Sequence, residues 1–440
     1  MPAFFRRTLA VSLCFFCCVS GAVFSAEAAK PAPQFNVSTD HADAIFKQGD
    51  TVTFTVQLTA DSALAKDAEL AWKISKDGAA PRQNATLKLV NGSASFTGKL
   101  DEPGHLLCEV TAAVDGKLVT ALAGAAIDPL LIKPSMPVPD DFDAFWSEQK
   151  KKLAAVPINP KLTLVADAAV KDVECFDVQL DSVGPAPVSG YFAKPVGAKP
   201  KSLPIILLVH GAGVRSSSLA NAANWAKRGL LAMDINAHGI PNGKPDQFYT
   251  DLAQGALKDY RRIGCESRDT CYFLGMFLRA IRGVDFLTSQ PEWDGKTVVV
   301  YGSSQGGFQA FATAGLDERV TYFAAGVPAG CDHTGMVANR IAGWPKLVPI
   351  GPDGKPDEKV LQTARYFDNV NFASRTKAKG AYVTVGFIDT TCPPTTVYAA
   401  YNNLSIPKGI YNDIRSGHAN SKEAGSARDQ AVLNYLKSVK

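Results

Sequence analysis

The chain has 440 residues, of which 46% are hydrophobic and 20% are charged, and its formal net charge is +4. This composition is that of an ordinary globular protein, and its length suggests two domains or one large domain with an appendage. The small charge, without a run of basic residues interleaved with aromatic ones, argues against a nucleic-acid partner.

The first residues have the pattern of a secretory signal peptide. Two arginines precede an apolar run at residues 8–24, and small residues follow it. Export signals place charged, apolar and small residues in this order. We predict a signal peptide at residues 1–28, cleaved after Ala28 or, as a second choice, after Ser25, and an exported protein, periplasmic or extracellular. An uncleaved anchor is the alternative, although the run is short for a membrane span and no other stretch is long enough, so no stable span is predicted.

The cysteines are compatible with an exported protein but do not by themselves indicate export. Three of the nine cysteines lie in the predicted signal peptide, and the other six are irregularly spaced. Cys265 and Cys271 flank a short polar loop and are the candidate disulfide pair, because an oxidising compartment permits such a bond. Buried free thiols are the alternative for all six. No group of cysteines and histidines has the spacing of metal ligands, so no metal site is predicted.

Residues 35–128 have the pattern of an all-β region. Apolar and polar residues alternate at residues 51–58, 70–74 and 85–89. Turn sequences such as Asn-Gly separate these runs at short intervals. Six or seven short strands predict a small immunoglobulin-like sandwich. We interpret Trp72 as a core residue of this sandwich, with a carbohydrate-binding platform as the alternative.

Residues 129–140 contain four prolines and predict a linker to a second domain at residues 141–440. Acidic residues begin a helix near residue 140, and strands and helices alternate from about residue 160. The strand candidates are residues 173–180, 188–194, 204–209, 230–235, 297–301, 321–327 and 381–387. The main helix candidates are residues 217–228, 272–289, 305–315 and 424–438. This alternation predicts an α/β fold with a doubly wound, mostly parallel sheet.

Ser304 lies in a Gly-x-Ser-x-Gly sequence between an apolar β-branched run and a small-residue helical pattern. This context is typical of the nucleophile elbow of α/β-hydrolases, a sharp strand-to-helix turn that lifts a serine above the sheet. Gly302 and Gly306 fit it, because side chains two residues from the serine would clash in such a turn. We predict an α/β-hydrolase with Ser304 as its nucleophile. The alternative is a tightly packed glycine-rich turn without catalysis.

In α/β-hydrolases the catalytic residues follow one another along the chain in the order serine, acid, histidine. This order indicates which residues are candidates for the acid and the base. His418 follows Ser304 at a suitable distance, just before the last predicted helix, and is the candidate base. His333 also follows the serine but comes too early. Asp389 is the first charged residue after an apolar strand and is the candidate acid, with Asp332 as its rival.

Acyl transfer by a serine also needs backbone N–H groups that bind the oxyanion. One comes from the residue after the serine, Gln305. The other is assigned to Ala212, because an apolar strand ends at His210-Gly211 just before it. We expect His210 to brace this loop rather than to take part in the chemistry. A reaction built from these parts requires no metal and no cofactor.

Five segments between the linker and residue 402 form a recognisable set: residues 139–146, 279–287, 291–295, 302–307 and 389–402. This set resembles the acetyl xylan esterase / cephalosporin-C deacetylase family of α/β-hydrolases over residues 135–440. The resemblance implies a triad of Ser304, Asp389 and His418, and removal of acetyl groups from sugar esters such as acetylated xylan or xylo-oligosaccharides. It also implies a closed homo-oligomer that admits small substrates, an assembly that the appended sandwich could block.

The chain departs from this family at three places. It has Ala212 where the family usually has an aromatic residue, Ala237-His238-Gly239 where the family has Arg-Gly-Gln, and Ala419 where the family has Glu. All three lie near the predicted active site, so the acyl pocket is expected to differ in size and polarity.

Two functions other than a secreted carbohydrate esterase stay open at this point. One is a serine peptidase of the prolyl-oligopeptidase kind, which shares this hydrolase core. The other is a non-catalytic carbohydrate-binding or adhesion protein in which the sandwich is the working part.

Overall fold

The structure is a computed structural model that describes residues 34–166 and 172–439. The predicted signal peptide lies outside the described residues. Among the residues described, no helix is both long and apolar enough to cross a membrane.

Seventeen strands and nine α-helices occur within the described residues. The strands are β1 (Phe35–Thr39), β2 (Ile45–Phe46), β3 (Thr51–Leu58), β4 (Glu69–Lys76), β5 (Pro81–Lys88), β6 (Ser93–Lys99), β7 (Gly104–Val114), β8 (Lys117–Ile127), β9 (Lys161–Leu164), β10 (Val173–Leu180), β11 (Val188–Pro195), β12 (Leu203–Val209), β13 (Leu231–Ile235), β14 (Trp293–Ser303), β15 (Tyr322–Gly326), β16 (Gly380–Gly386) and β17 (Lys408–Asp413). The helices are α1 (Phe142–Ala154), α2 (Leu219–Ala226), α3 (Asp246–Gln254), α4 (Tyr272–Thr288), α5 (Gln305–Leu316), α6 (Glu358–Ala364), α7 (Asn369–Ala373), α8 (Pro394–Asn402) and α9 (Lys422–Ser438).

Strands β1 to β8 form the predicted all-β region as two sheets packed on one core. Their orders are β1-β3-β6 and β2-β8-β7-β4-β5, and all pairings are antiparallel except that of β2 with β8. Alternate residues of β3 point inward, and Phe54 is fully buried. Trp72 stacks on Phe96 with ring centroids 4.2 Å apart and packs against this core. This position agrees with the interpretation of Trp72 as a core residue.

The proline-rich segment after β8 is held on the second region by hydrogen bonds. The Asn402 side chain donates to the carbonyl oxygens of Pro129 and Ile132, both at 2.8 Å. Arg365 donates to the Pro137 carbonyl at 2.9 Å. The segment predicted as a linker is therefore a packed strap on the hydrolase region rather than a free spacer.

The second region is built on a nine-stranded sheet of order β17-β16-β15-β14-β12-β13-β11-β10-β9. The six strands from β17 to β13 are parallel, and β11, β10 and β9 continue the sheet with antiparallel pairings. Helices cover both faces, so inner strands such as β13 are buried along their whole length. This confirms the predicted α/β-hydrolase sheet. Its parallel strands end at one edge, where the loops that carry the predicted site residues meet.

The sequence patterns do not predict two of the strands and some of the short helices. β9 is an exposed edge strand and β17 is a half-buried edge strand, so neither has a continuous apolar run. The helices α6 and α7 have only 7 and 5 residues. Segments this short carry too little periodicity to be recognised.

Candidate active site

The backbone at Ser304 forms the sharp turn that the sequence predicts. Ser304 joins β14 to α5 at φ 58° and ψ −122°, a conformation that a residue with a side chain rarely adopts. A Cβ on Gly302 would lie 2.5 Å from the Gly306 carbonyl carbon, and one on Gly306 would lie 2.1 Å from the Val209 oxygen. Only glycine fits at both positions, so the two glycines hold Ser304 in its strained position.

The structure brings together the three residues predicted as nucleophile, base and acid. Ser304 Oγ lies 2.8 Å from His418 Nε2, and His418 Nδ1 lies 2.8 Å from Asp389 Oδ2. Asp389 Oδ1 accepts the N–H groups of Thr391 and Cys392 at 2.8 and 2.9 Å. The Asp389 side chain is fully buried, whereas a quarter of His418 is exposed. Because the carboxylate accepts from Nδ1–H, Nε2 is free to accept the serine proton.

The rival residues have other partners. The Asp332 carboxylate accepts the N–H and the hydroxyl of Ser135 at 2.8 and 2.6 Å, and it pairs with Arg340 at 3.2 Å. The ring of His333 is buried edge-on against Phe308, and this burial lowers the pKa of His333 to about 4. Asp332 thus anchors the proline-rich strap, and His333 is a core residue.

The loop with the predicted oxyanion donor lies directly against the elbow. A Cβ on Gly211 would lie 3.4 Å from the Ser303 oxygen and 3.7 Å from the Ser304 Cβ. Ala212 follows Gly211 and lines the same pocket as Ser304. Gln305 is the first residue of α5, and helices leave their first N–H groups without helical partners. Both predicted donors therefore adjoin the serine, one of them at the positive end of a helix dipole.

His210 braces this loop, as predicted from the sequence. Its Nε2 accepts the Ala237 N–H at 3.0 Å, so Nδ1 carries the ring proton and donates to the Gly211 carbonyl at 2.6 Å. Burial lowers the pKa of His210 to about 4, which keeps the ring neutral and both bonds intact near neutral pH.

His238 also braces this loop, a role that was not predicted from the sequence. Its Nε2 donates to the Gly213 carbonyl at 3.2 Å, and its Nδ1 accepts from the Tyr272 hydroxyl at 2.7 Å. Burial lowers the pKa of His238 to about 3. Tyr260 extends this buried network by donating to the side-chain oxygen of Gln305. The signal available in the sequence was the departure from the Arg-Gly-Gln pattern at this position.

The pocket at Ser304 is open and mixed in character, with a volume of about 380 Å³. Val327 and Trp344 supply apolar wall, and Asn420 and Arg215 supply amide and guanidinium groups. Arg215 is exposed, and its Nη2 donates to the Gly211 carbonyl at 3.4 Å. Such a pocket can take a small acyl group against the apolar wall and a polar group at the rim.

One cluster in the described residues has the composition of a metal site. Potential ligand atoms of Asp389, Cys392 and His418 lie within 4.8 Å of one another. The carboxylate and the imidazole are hydrogen-bonded to each other, however, and burial raises the pKa of the Cys392 thiol well above its usual value. A protonated thiol is a poor ligand. The donor set therefore suits a hydrogen-bonded catalytic group better than a cation.

The structure corrects the predicted disulfide between Cys265 and Cys271, because both residues are free thiols in it. Both belong to the buried core of the hydrolase region. The loop between them is closed by backbone bonds instead, with the Cys271 N–H on the Ser267 carbonyl at 2.9 Å and the Tyr272 N–H on Ile263 at 3.0 Å. A large core and these bonds make a covalent staple unnecessary.

The fold and the arrangement around Ser304 define an α/β-hydrolase. The family model described as acetyl xylan esterase (AXE1) matches residues 131–438. Among curated proteins, the acetyl esterase Axe7A of Xylanibacter ruminicola is 31% identical over 373 residues, which is 84% of this chain and 83% of that protein.

Solved structures give the same result. The acetyl xylan esterase from Paenibacillus sp. R4 is similar with a TM-score of 0.61 and 30% identity, over 70% of this chain and 98% of that one. Acetyl xylan esterase 1 from Thermoanaerobacterium sp. JW/SL YS485 has a similar fold, with a TM-score of 0.55 and 24% identity over 69% of this chain and 96% of that one. The chain belongs to the acetyl xylan esterase family, and it is a carboxylic ester hydrolase.

Proposed function

We propose that this enzyme hydrolyses acetyl esters of carbohydrates through an acyl-enzyme on Ser304. His418 Nε2 accepts the hydroxyl proton while Ser304 Oγ attacks the ester carbonyl. Asp389 keeps the imidazole in the required tautomer and stabilises the imidazolium that forms. The N–H groups of Gln305 and Ala212 bind the oxyanion. His418 then protonates the leaving sugar oxygen, and water, activated by the same imidazole, releases acetate.

The hydrogen-bonded series from Ser304 through His418 to Asp389 is the observation that carries this proposal. It gives a nucleophile and a base within hydrogen-bond distance, with the base oriented by a buried carboxylate that is held by two backbone N–H groups. A serine in a strained turn at a helix N-terminus is the usual setting for acyl transfer.

The proposed substrates are short-chain esters of sugars such as acetylated xylan or xylo-oligosaccharides. The names of two relatives, an acetyl esterase and an acetyl xylan esterase, support this class. The lining of the pocket supports it as well, because Val327 and Trp344 offer an apolar wall for an acetyl methyl, and Arg215 and Asn420 offer polar groups for sugar hydroxyls.

The nucleophile is tested with Ser304→Ala against Ser289→Ala, an exposed serine at the end of α4. We expect Ser304→Ala to lose p-nitrophenyl acetate hydrolysis by about 10⁴-fold or more and to resist labelling by a fluorophosphonate. The Ser289→Ala variant should be labelled at Ser304 and turn over like the wild type. Wild-type turnover in Ser304→Ala would contradict the proposal.

The substrate class is tested by acetate release from a panel of acetylated xylo-oligosaccharides, compared with proline amide substrates. We expect acetate release to be much the faster reaction. Faster cleavage of the amides would favour a peptidase of the prolyl-oligopeptidase kind.

We also propose that the protein is exported after cleavage of residues 1–28, from the charged, apolar and small-residue order of its first segment. N-terminal sequencing of the secreted protein should begin at residue 29. A cytosolic protein that begins at Met1 would contradict export. The homo-oligomer stays a prediction, which light scattering of the exported protein would test.

A further inference from the structure

The β-sandwich reaches the loop that carries Asp389. The turn after β4 places Asp77 against the start of α8, where the Thr395 hydroxyl donates a hydrogen bond to Asp77 Oδ1. Both side chains are buried, with 2% of Asp77 and none of Thr395 exposed. A Cβ on Gly78 would lie 3.9 Å from the methyl carbon of Thr390, the residue next to Asp389.

A second part of the sandwich touches the other side of the same loop. A Cβ on Gly124 in β8 would lie 2.2 Å from the carbonyl oxygen of Phe387, so the two backbones are in direct contact. His105 in β7 packs edge-on against the Phe387 ring, with centroids 5.7 Å apart. Phe387 comes just before Asp389, so the sandwich touches this loop both before and after the acid.

The other two members of the triad lack this kind of support. The loop before His418 faces the sandwich across a cleft of about 760 Å³, with Ile414 and Arg415 on one side and β1 and β8 on the other. Ser304 is held by contacts inside the hydrolase sheet, because its N–H donates to the Gly326 carbonyl at 2.8 Å and Gly306 packs on Val209. Direct support from the sandwich is therefore concentrated on the loop of the acid.

We infer that the β-sandwich is a positioning element of the active site, which through Asp77, His105 and Gly124 fixes the loop that holds Asp389 against His418. The inference rests on the proposed function of the triad. These sandwich residues touch neither the substrate nor the reacting atoms and act through Asp389. The expected effect is large, because misplacing a catalytic group by about 1 Å can cost about 100-fold in rate.

The contact between Asp77 and Thr395 tolerates replacement of the acid by its amide. Oδ2 of Asp77 has no hydrogen-bond partner, and burial raises the pKa of Asp77 to about 7. An asparagine can still accept the Thr395 hydroxyl through its carbonyl oxygen, whereas alanine cannot. The pair Asp77→Asn and Asp77→Ala therefore separates the hydrogen bond from the side-chain charge.

The experiment measures kcat and KM for p-nitrophenyl acetate in full-length variants. We expect Asp77→Ala and Gly124→Ala to lower kcat about 10- to 100-fold with KM within about twofold of wild type. Asp77→Asn should keep most of the turnover. The matched control is Asp67→Ala, which removes an exposed carboxylate of the same sandwich and should behave like wild type.

The partner side chain gives a reciprocal test. Thr395→Ser keeps the hydroxyl and should retain activity, whereas Thr395→Val should match Asp77→Ala. The double variant Asp77→Ala/Thr395→Val should lose no more than either single variant, because both remove one interaction.

A second readout separates positioning from a general loss of stability. Hydrogen exchange at residues 387–396 should become faster, while exchange in α5 does not change.

Wild-type kcat and unchanged exchange at residues 387–396 in folded Asp77→Ala and Gly124→Ala would overturn the inference. A wild-type enzyme without esterase activity, or an active Ser304→Ala variant, would instead overturn the proposed function. In that case the exchange data alone decide whether the sandwich fixes the loop.

Discussion

The two ends of the hydrogen-bonded series, Ser304 and Asp389, are held in different ways. Ser304 is fixed by backbone sterics inside the hydrolase sheet, because a Cβ on Gly302 would meet Gly306 of the same turn and a Cβ on Gly306 would meet Val209 at the end of β12. Asp389 follows β16 in a loop whose conformation is set by neighbours, including Thr395 of α8 and strands of another sheet. The proposed nucleophile is thus held by contacts within the hydrolase sheet, whereas the loop of the proposed acid also depends on contacts from the separate β-sandwich.

This difference matters for how each end can fail. A side chain added in the elbow collides with backbone atoms that cannot move away. A change around the proposed acid releases the side of its loop that the sandwich touches, while the bonds from Thr391 and Cys392 to Asp389 stay in place. Substitutions at and around the two ends test this difference, from the largest expected effect on turnover to the smallest.

The largest effect is expected for Asp389→Asn. Oδ1 accepts the N–H groups of Thr391 and Cys392, so the carbonyl oxygen of the amide takes that place and its NH₂ faces His418. His418 Nδ1 must then accept a hydrogen bond from this NH₂, so the ring proton lies on Nε2, which can no longer take the serine proton. We expect kcat to fall by about 10⁴-fold with the fold intact. Turnover within tenfold of wild type, in a variant with unchanged circular dichroism, would refute this assignment.

A smaller but still large effect is expected for Gly306→Ala. The added methyl would lie 2.1 Å from the Val209 oxygen and 3.0 Å from its carbon, both backbone atoms that cannot rotate away. We expect kcat to fall about 100-fold or more, together with a lower Tm, because the elbow must shift. The measurement is turnover per labelled Ser304, which corrects for misfolded protein.

The matched control for that prediction is Gly425→Ala. Gly425 is also a helical glycine, in α9, but a Cβ there meets nothing within 4 Å. We expect unchanged turnover and a gain of up to about 1 kcal/mol in the free energy of unfolding, since alanine is the better helix former. Similar losses in both variants would mean that the elbow has no special steric demand.

An intermediate effect is expected for Tyr272→Phe, which removes the hydroxyl that donates to His238. His238 holds the Gly213 carbonyl beside the oxyanion loop, so losing its partner should loosen that loop. We expect kcat to fall about 3- to 10-fold with KM little changed, since the loop serves the transition state. Tyr411→Phe, on the edge strand β17, is the control, and equal losses in both would contradict the bracing role.

Among these variants, Asp77→Asn is expected to have the smallest effect on turnover. Its effect on stability should be measurable. Burial raises the pKa of Asp77 from 3.8 in the unfolded chain to about 7 in the folded protein. The folded state therefore binds this proton more tightly, and the resulting stability is complete below about pH 4 and lost as the pH rises to about 7. The asparagine stays neutral throughout. The Tm of the variant relative to wild type should rise between pH 4 and 7 and then level off.

The expected difference is a few degrees, with about 4 kcal/mol as the upper limit set by this pKa shift. The charged groups that act on Asp77 are Lys76 at the end of β4 and Arg340 and Asp332 of the hydrolase region. The matched control is Asp67→Asn, which changes an exposed carboxylate of the same sandwich. A Tm difference that does not change between pH 4 and 8 would contradict the raised pKa.

Much of the hydrolase region could be predicted from the sequence, because its parallel strands are buried on both faces and give continuous apolar runs. The strand predicted at residues 204–209 lies within β12, and the one predicted at residues 230–235 covers β13. The turn at Ser304 was predictable because its Gly-x-Ser-x-Gly sequence is a local pattern, although the contact that requires Gly306 comes from Val209 of β12. Edge strands such as β17 were missed because they are half exposed.

The candidate disulfide shows the opposite case. Cys265 and Cys271 are close in sequence and flank a polar loop, which favours pairing when only the sequence is considered. In the structure each is a free thiol in the buried core, while backbone hydrogen bonds close the loop. A short distance in sequence did not determine whether the two thiols form a bond.

By itself, the sequence determined the α/β-hydrolase fold and the order of Ser304, Asp389 and His418, because strand periodicity and the Gly-x-Ser-x-Gly turn are local patterns. Only the tertiary structure decided that Asp332 binds the strap at Ser135, that His238 braces the oxyanion loop, and that the sandwich packs on the loop of Asp389. These are contacts between residues far apart in the chain. They depend on how whole sheets pack, which no local pattern encodes.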